Sequence, residues 1–225
     1  MSCFFKIAID GPAGSGKSTI AKIIADKKHL IYVDSGAMYR AVTFNCLINK
    51  IDIDNPNEII SVCLSTKISF LKKNGKLNTL IDDKDVSDEI RSREVTNNVF
   101  KIAREPKVRE HLVKQQREFA EKNSVIMDGR DIGTVVYPDA DLKIYLDASV
   151  EERTKRRFEE LRLKGEKVDF EKLKQEVIDR DYQDISRKTG PLKIAEDAVV
   201  IDTTDLTIEK VCDTIIELIN NIEKS

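Results

Sequence analysis

The chain of 225 residues contains no tryptophan, and its aromatic residues reach only 6%. It also lacks any apolar run of about eighteen residues, the length that a transmembrane helix needs, so no membrane span is expected. The N-terminal segment has no basic leader before an apolar stretch. We therefore expect no signal peptide and a cytoplasmic protein.

A strong charge of one sign is missing as well. The 38 Lys and Arg residues against 40 Asp and Glu residues leave a formal net charge of −2. This balance argues against a general nucleic-acid-binding surface, and it means that a polyanionic ligand must be held by locally placed cations.

Paired cysteines are absent too, because Cys3, Cys46, Cys63 and Cys212 are scattered with no Cys-x-x-Cys spacing. This pattern is typical of free, buried thiols in a reducing compartment. Neither of the two histidines has a neighbour at metal-ligand spacing. We expect no metal site built from cysteine and histidine.

Short apolar segments alternate with longer amphipathic ones along the chain. The near-continuous apolar segments are residues 4–9, 30–33, 125–127, 142–146 and 198–201. Such segments are typical of buried parallel strands, whereas the three- and four-residue spacing of apolar residues over 208–222 predicts an amphipathic helix. The alternation predicts an α/β fold with helices on both faces of a parallel sheet.

Two segments interrupt this alternation. Residues 67–86 contain short strand-like runs around Lys73-Asn74-Gly75-Lys76, a hairpin signal, and predict a small antiparallel insert. Residues 151–167 are dense in charge and predict a helix with a solvated face.

A glycine-rich segment directly after the first predicted strand fits the phosphate-loop pattern G-x-x-x-x-G-K-[ST], and a predicted helix follows it. Glycines allow backbone N–H groups to surround a phosphate, and the helix start adds a positive dipole end. The lysine would contact the β and γ phosphates, and the serine hydroxyl would bind Mg²⁺. The predicted ATP-binding residues are Gly11, Pro12, Ala13, Gly14, Ser15, Gly16, Lys17, Ser18 and Thr19.

Motors, switches, pumps and kinases all use such a loop, so a second feature must separate them. A kinase that joins ATP to a nucleoside monophosphate has to neutralise roughly six negative charges in one closed site, which requires several arginines. Arg40, Arg130 and Arg180 lie beside acids or glycines at the ends of predicted elements. Together with the loop, they favour a second phosphate site.

The chain resembles the bacterial cytidylate kinases, which belong to the nucleoside monophosphate kinases. The matching motifs include Asp34-Ser35-Gly36-Ala37-Met38-Tyr39-Arg40, Pro106-Lys107-Val108-Arg109 and Asp128-Gly129-Arg130-Asp131-Ile132-Gly133-Thr134. The resemblance implies a five-stranded parallel sheet flanked by helices, with a small antiparallel insert and a helical lid. It also implies phosphorylation of CMP, and of dCMP, by ATP with Mg²⁺.

The resemblance implies three parts of the chain. Residues 1–34, 100–150 and 176–225 would form the ATP-binding core. Residues 35–99, with the insert at about 67–86, would bind the acceptor, and residues 151–175 would form the lid. A monomer is expected, again from the resemblance.

Site residues follow from the same motifs. Arg40 and Arg130 would clamp the acceptor phosphate, with Ser35 and Asp131 near the cytosine and its phosphate. Arg109 and Arg187 would reach the base, while Arg180 and Asp184 would read the ribose hydroxyls. The four- and seven-residue spacing of Arg180, Asp184 and Arg187 predicts that all three lie on one helical face.

Further residues complete the implied site. Gly36 and Tyr39 belong to the acceptor site, and Arg153 and Arg157 would close from the lid onto the ATP phosphates. The catalytic set is Lys17, Arg40, Asp128, Arg130 and Asp131; Asp128 would orient a water on the Mg²⁺ that Ser18 holds, the other ligands being water and phosphate.

One residue departs from the family pattern. Phe100 stands where the family often has a small hydroxyl residue that helps to recognise cytosine, so discrimination between CMP and UMP is left open. Two alternatives also remain: another small-molecule kinase, such as one for shikimate or dephospho-coenzyme A, and a regulatory ATPase that binds a protein or nucleic acid.

Overall fold

The computed structural model describes residues 4–73 and 76–224. Its strands are β1 (Lys6–Asp10), β2 (Ile31–Asp34), β3 (Ile68–Lys73), β4 (Lys76–Ile81), β5 (Lys84–Asp85), β6 (Val125–Gly129), β7 (Leu142–Asp147) and β8 (Val199–Asp202). Its α-helices are α1 (Lys17–Lys28), α2 (Ser35–Ile48), α3 (Pro56–Ser65), α4 (Arg93–Ala103), α5 (Pro106–Ala120), α6 (Val150–Leu163), α7 (Phe170–Ser186) and α8 (Ile208–Ile222). The predicted turn residues Asn74 and Gly75, and Cys3, lie outside the described residues.

Five strands form one parallel sheet in the order β2-β6-β1-β7-β8, as the resemblance implied. The central strand β1 has fully buried Ile7, Ala8 and Ile9, because helices cover both faces of the sheet. The register places Asp34 opposite Asp128 and Asp10 opposite Gly129. Three acidic side chains therefore meet at the carboxyl edge of the sheet, where ligands bind in open α/β folds.

Helices α1 and α8 pack on one face of the sheet. The predicted amphipathic helix is confirmed, since Val211, Ile215 and Ile219 of α8 are buried at four-residue steps. Ile208, included in the predicted stripe, is instead 53% exposed because it opens the helix. The other face is covered by α5 and by a π-helical turn at Ile132–Val136.

The predicted insert is confirmed as a three-stranded antiparallel sheet in the order β3-β4-β5. Ile81 and Val86, with Ile90 of the following 3₁₀ turn, pack against Ala37 and Ala41 of α2. Burial of one apolar face of this small sheet anchors it to helix α2.

The charged segment forms α6, whose N-cap Ser149 accepts a hydrogen bond from the N–H of Glu152. The predicted solvated face is confirmed at Glu151, Lys155 and Glu159, which are exposed, whereas Arg153 is 4% exposed and donates to the carbonyl oxygen of Ala13 in the phosphate loop. The predicted divisions after residues 99 and 175 fall inside α4 and α7. Among the described residues, none of the helices is long and apolar enough to cross a membrane.

Candidate active site

The phosphate loop connects β1 to α1 in a backbone conformation that glycine permits. Gly14 and Gly16 have φ angles of +81° and +93°. Gly11 has a φ of +147°, and a Cβ there would lie 2.0 Å from the carbonyl oxygen of Leu146. Helix α1 begins without a side-chain cap. Its first N–H groups are thus available to a phosphate, as the motif predicted.

Lys17 is buried in this loop. Its Nζ donates to the carbonyl oxygen of Pro12 at 2.6 Å and to Oγ of Ser15 at 3.4 Å. Burial, and then the positive charge of Arg130, lowers the pKa of Lys17 to about 7, against the attraction of Asp128. A triphosphate at this position would restore the full positive charge.

Asp128, at the end of β6, is held by two hydroxyl groups. Ser18 Oγ donates to Oδ2 and the Tyr32 hydroxyl donates to Oδ1, each at 2.8 Å. Burial, followed by repulsion from Asp34, raises the pKa of the Asp128 carboxyl. The oxygen donors Ser18 and Asp128 suit Mg²⁺. Among the described residues, no group of three or more His, Cys, Asp or Glu side chains could hold a metal.

Asp34 positions two arginines at the start of α2. Its side chain accepts the N–H of Ala37 as the N-cap, and its Oδ2 lies 2.6 Å from Nη2 of Arg40 and 3.0 Å from Nη2 of Arg91. The Nε of Arg40 is buried and has no hydrogen-bond partner in the part of the chain that the structure describes. A Cβ on Gly36 would lie 2.9 Å from Nη1 of Arg40, so the glycine leaves room for this guanidinium.

Five charged side chains of alternating sign form a connected network beside Arg40. Asp131 pairs with Arg109 and lies 3.7 Å from Arg187. Arg187 lies 3.6 Å from Asp184, which in turn is 2.7 Å from Nε of Arg130. Burial acts to raise the pKa of the Asp184 carboxyl, but the positive charges of Arg130 and Arg180 outweigh it and lower this pKa. The carboxylates hold the guanidinium groups in fixed positions. Without them, repulsion between the positive charges would keep these groups apart.

Hydrogen bonds from the main chain to Asp10 fix the segment that follows Asp131. Asp10 accepts the N–H groups of Ile132 and Gly133 at 2.8 and 2.7 Å, which fixes the backbone directly after Asp131. Burial raises the pKa of Asp10 to about 6 in spite of these two bonds. The π-helical turn that begins at Ile132 therefore starts from a buried anchor on β1.

Two more predicted acceptor residues border the network. The Ser35 hydroxyl donates to the carbonyl oxygen of Asp128 at 2.7 Å. The ring centroid of Tyr39 lies 5.3 Å from the guanidinium carbon of Arg109, a cation–π distance. Ser35 joins α2 to the end of β6, and Tyr39 forms one wall beside Arg109.

Arg180 and Asp184 share α7, but the prediction that Arg187 lies on the same helical face is corrected. Helix α7 ends at Ser186, and Arg187 is its extended C-cap residue. Its Nε donates to the carbonyl oxygen of Gly190 at 2.6 Å. Burial, followed by repulsion from Arg130, lowers the pKa of Arg180 to about 10. Asp184 forms ion pairs with Arg130 and Arg187, and the positive charge of Arg180 also acts on this carboxylate.

The two arginines of α6 that were predicted to contact ATP differ in their contacts. Arg153 donates to the carbonyl oxygens of Ala148 and Ala13 at 2.9 and 3.2 Å and pairs with Asp181 at 2.7 Å. Arg157 lies 2.7 Å from Glu160 on its own helix. The guanidinium of Arg153 thus contacts the main chain of the phosphate loop, whereas that of Arg157 contacts another residue of α6.

The sequence prediction missed several residues of the site. Arg156, next to Arg157, lies 3.5 Å from the carbonyl oxygen of Gly14. Gly190 has a φ of +55°, and a Cβ there would lie 2.3 Å from Oδ2 of Asp131. Tyr32 and Arg91 complete this set. Tyr32 lies two residues before the acidic end of its strand, and this spacing could have indicated that it faces the site. No such local signal exists for Arg91, which only tertiary folding brings to Asp34.

A cavity of about 210 Å³ lies between α4 and the end of α7. Phe100, Ala103 and Arg104 line one side, and Asp184 and Arg187 line the other. The family departure at Phe100 therefore stands next to the charged network.

The chain is similar to several known proteins. A family model described as cytidylate kinase matches residues 7–221. Proteins named cytidylate kinase from Alkaliphilus oremlandii, Geobacillus sp. (strain WCH70) and Leuconostoc mesenteroides are each 49% identical, over 97%, 96% and 96% of this chain and 99%, 96% and 97% of their own. A shikimate kinase structure from Bacteroides thetaiotaomicron has a TM-score of 0.49 and 12% identity, over 96% of this chain and 98% of that one.

Proposed function

The chain belongs to the cytidylate kinase family, and on that premise we propose that it transfers the γ-phosphoryl group of ATP to CMP, giving ADP and CDP. The observation that carries the proposal is that a triphosphate-binding loop and a network of arginines share one edge of the sheet. We extend the proposal to dCMP as a second acceptor.

The reaction needs no general base. A phosphate oxygen of CMP is already ionised at neutral pH and attacks the γ-phosphorus in line, while the bond to the bridging oxygen of ADP breaks. Catalysis then consists mostly of alignment and charge stabilisation. Arg40 and Arg130 are proposed to hold the acceptor phosphate, and the unpaired Nε of Arg40 supports this role.

The remaining acceptor residues are assigned to the nucleoside. Arg109, Asp131 and Arg187 would contact the cytosine side, and their connected ion pairs supply fixed donors and acceptors. Arg180 and Asp184 would face the ribose hydroxyls. The other proposed acceptor contacts are Ser35, Gly36 and Tyr39.

Lys17 is proposed to contact the β and γ phosphates from the loop of residues 11–19. Ser18 would bind Mg²⁺ directly and Asp128 through water, since their oxygen atoms suit a hard cation. When bound, Mg²⁺ neutralises part of the charge on these phosphates. Arg153 would stabilise the loop through its hydrogen bond to the carbonyl oxygen of Ala13. Arg157 would have to break its ion pair with Glu160 to reach ATP.

We propose the three-part division with residues 35–99 for the acceptor and 151–175 for the lid, with the remainder as the core. Closure of the lid would exclude water, which otherwise competes as the phosphoryl acceptor. A cytoplasmic monomer is part of the same proposal, and it rests on the family alone.

One assay tests the proposed reaction. ADP release is coupled to a visible signal while CMP, dCMP, UMP, AMP and shikimate are offered in turn as acceptors. Turnover with CMP and dCMP well above that with AMP and shikimate is expected, and the rate with UMP measures the discrimination that Phe100 leaves open. Release that ignores every monophosphate would instead support a regulatory ATPase, and turnover with shikimate would support a different kinase.

A further inference from the structure

We propose that Tyr32 is a positioning residue for the divalent cation that accompanies ATP. Its hydroxyl fixes the Asp128 carboxylate in the orientation in which Oδ2 accepts the proton of the Ser18 hydroxyl. The inference deepens the proposed function and depends on its ATP site. It assigns Tyr32 no contact with the cation or with either nucleotide.

The strand register explains how the tyrosine reaches this carboxylate. Strands β2 and β6 are parallel neighbours, and Asp34 lies opposite Asp128. Tyr32 is two residues before Asp34, so it belongs to the same face of the sheet. Its ring spans the distance along the strand, and its hydroxyl donates to Oδ1 of Asp128 at 2.8 Å.

Each oxygen of the Asp128 carboxylate accepts a hydrogen bond from a different hydroxyl group. Ser18 Oγ donates its proton to Oδ2 of Asp128, which leaves the lone pairs of Oγ for a cation. Tyr32 occupies Oδ1 and so opposes rotation of the carboxylate about its Cβ–Cγ bond. A side chain that orients a ligand in this way commonly matters for metal binding as much as a direct contact does.

A competing cation makes this restraint necessary. Lys17 is buried nearby, and its charge attracts Asp128. Without the Tyr32 hydroxyl, Oδ1 would be a buried acceptor lacking its donor, a state that costs free energy. The carboxylate would then be free to rotate and move Oδ2 away from Ser18, leaving the serine proton without a fixed acceptor.

A purely structural role would be served without the hydroxyl. The ring of Tyr32 packs at the border of the apolar cluster beneath α1, and Nζ of Lys22 lies 5.5 Å from its centroid. Phenylalanine could make both contacts. Tyr137 offers the contrast, since its hydroxyl donates to the carbonyl oxygen of Gln116 at 2.6 Å, away from the phosphate loop.

The test compares Tyr32→Phe with Tyr137→Phe, because each variant loses one hydroxyl that donates a hydrogen bond. ATP binding is measured by calorimetry with excess Mg²⁺ and with EDTA, and Mn²⁺ binding to the protein–ATP complex is measured by electron paramagnetic resonance. CMP is omitted throughout. We expect Tyr32→Phe to weaken Mn²⁺ binding by about tenfold or more. Its ATP affinity in EDTA should stay within about twofold of the parent, and Tyr137→Phe should leave both quantities unchanged.

Thermal denaturation shows whether each variant is folded, and Tyr32→Leu provides a second variant without the hydroxyl. Agreement of the two Tyr32 variants supports the proposal. Unchanged Mn²⁺ affinity, an equal loss of ATP affinity with and without metal, or the same metal effect in Tyr137→Phe overturns it. Since these measurements need no acceptor, they remain informative even if the parent protein fails to phosphorylate CMP, which would count against the proposed function alone.

Discussion

Replacement of Arg130 by alanine tests the acceptor site most directly. The side chain follows β6, is 18% exposed, and is fixed by its 2.7 Å contact with Asp184. Removal of one such preorganised donor from a transition state typically costs 10²–10³-fold in rate. We therefore expect Arg130→Ala to raise the KM for CMP, to lower kcat at least about tenfold, and to lower kcat/KM by roughly 10²–10³-fold.

The structure adds a second contribution to this loss. In Arg130→Ala, Asp184 keeps Arg187 at 3.6 Å but loses its closest partner, so its negative charge would repel an incoming phosphate. The double variant Arg130→Ala/Asp184→Asn should therefore regain part of the lost kcat/KM. Arg130→Lys keeps the charge but not the planar fork, and its activity should lie between those of the parent and Arg130→Ala.

The assay is coupled ADP release at saturating ATP and Mg²⁺ with varied CMP, so that kcat and KM are separated. Arg93→Ala is the matched control, since this arginine is 65% exposed and lies 3.6 Å from Glu176 on the surface. Its kinetics should change by less than about twofold, because exposed ion pairs contribute little. Parent-like CMP kinetics in Arg130→Ala would remove Arg130 from the site.

Three further outcomes are expected. Burial and the charge of Arg130 lower the pKa of Lys17 to about 7, so ATP binding should be accompanied by proton uptake at pH 8 but not at pH 6. Calorimetry in buffers of different ionisation enthalpy measures this uptake. The variant Lys17→Arg, whose side chain is always charged, should show none. Phe100→Ser should raise the ratio of kcat/KM for CMP over UMP by about fivefold through one new hydrogen bond, and an unchanged ratio would count against a role for this position in base selection. Without CMP, the protein should hydrolyse ATP slowly, which phosphate release detects, and a rate equal to that with CMP would contradict water exclusion by the lid.

The sheet and the phosphate loop could be predicted because their signals are local. A strand buried on both faces is apolar throughout, and the loop needs glycine wherever its backbone has a positive φ. Gly14 and Gly16 are such positions, and the helix that follows them begins at Lys17. The antiparallel insert was equally visible, since its strands are joined through adjacent residues.

The environment of single arginines could not be predicted in the same way. Arg153, Arg156 and Arg157 occupy one charged helix, yet the first is buried beneath the loop, the second lies near Gly14, and the third pairs with Glu160. Helical periodicity gives the relative directions of side chains but does not specify which direction faces the core when every candidate is charged. That choice follows from how α6 packs on its neighbours.

Carboxylates in the site explain how a protein of net charge −2 can bring two polyanions together. Unpaired guanidinium groups at such short separation would repel one another and lower the stability of the fold. Asp34 instead holds Arg40, and Asp131 and Asp184 hold Arg109, Arg187 and Arg130 in a connected network. If these arginines bind the acceptor phosphate as proposed, they are already oriented before it arrives, and no binding energy is needed to bring them together. A short-range arrangement of paired charges therefore serves phosphoryl transfer where a global positive field is absent.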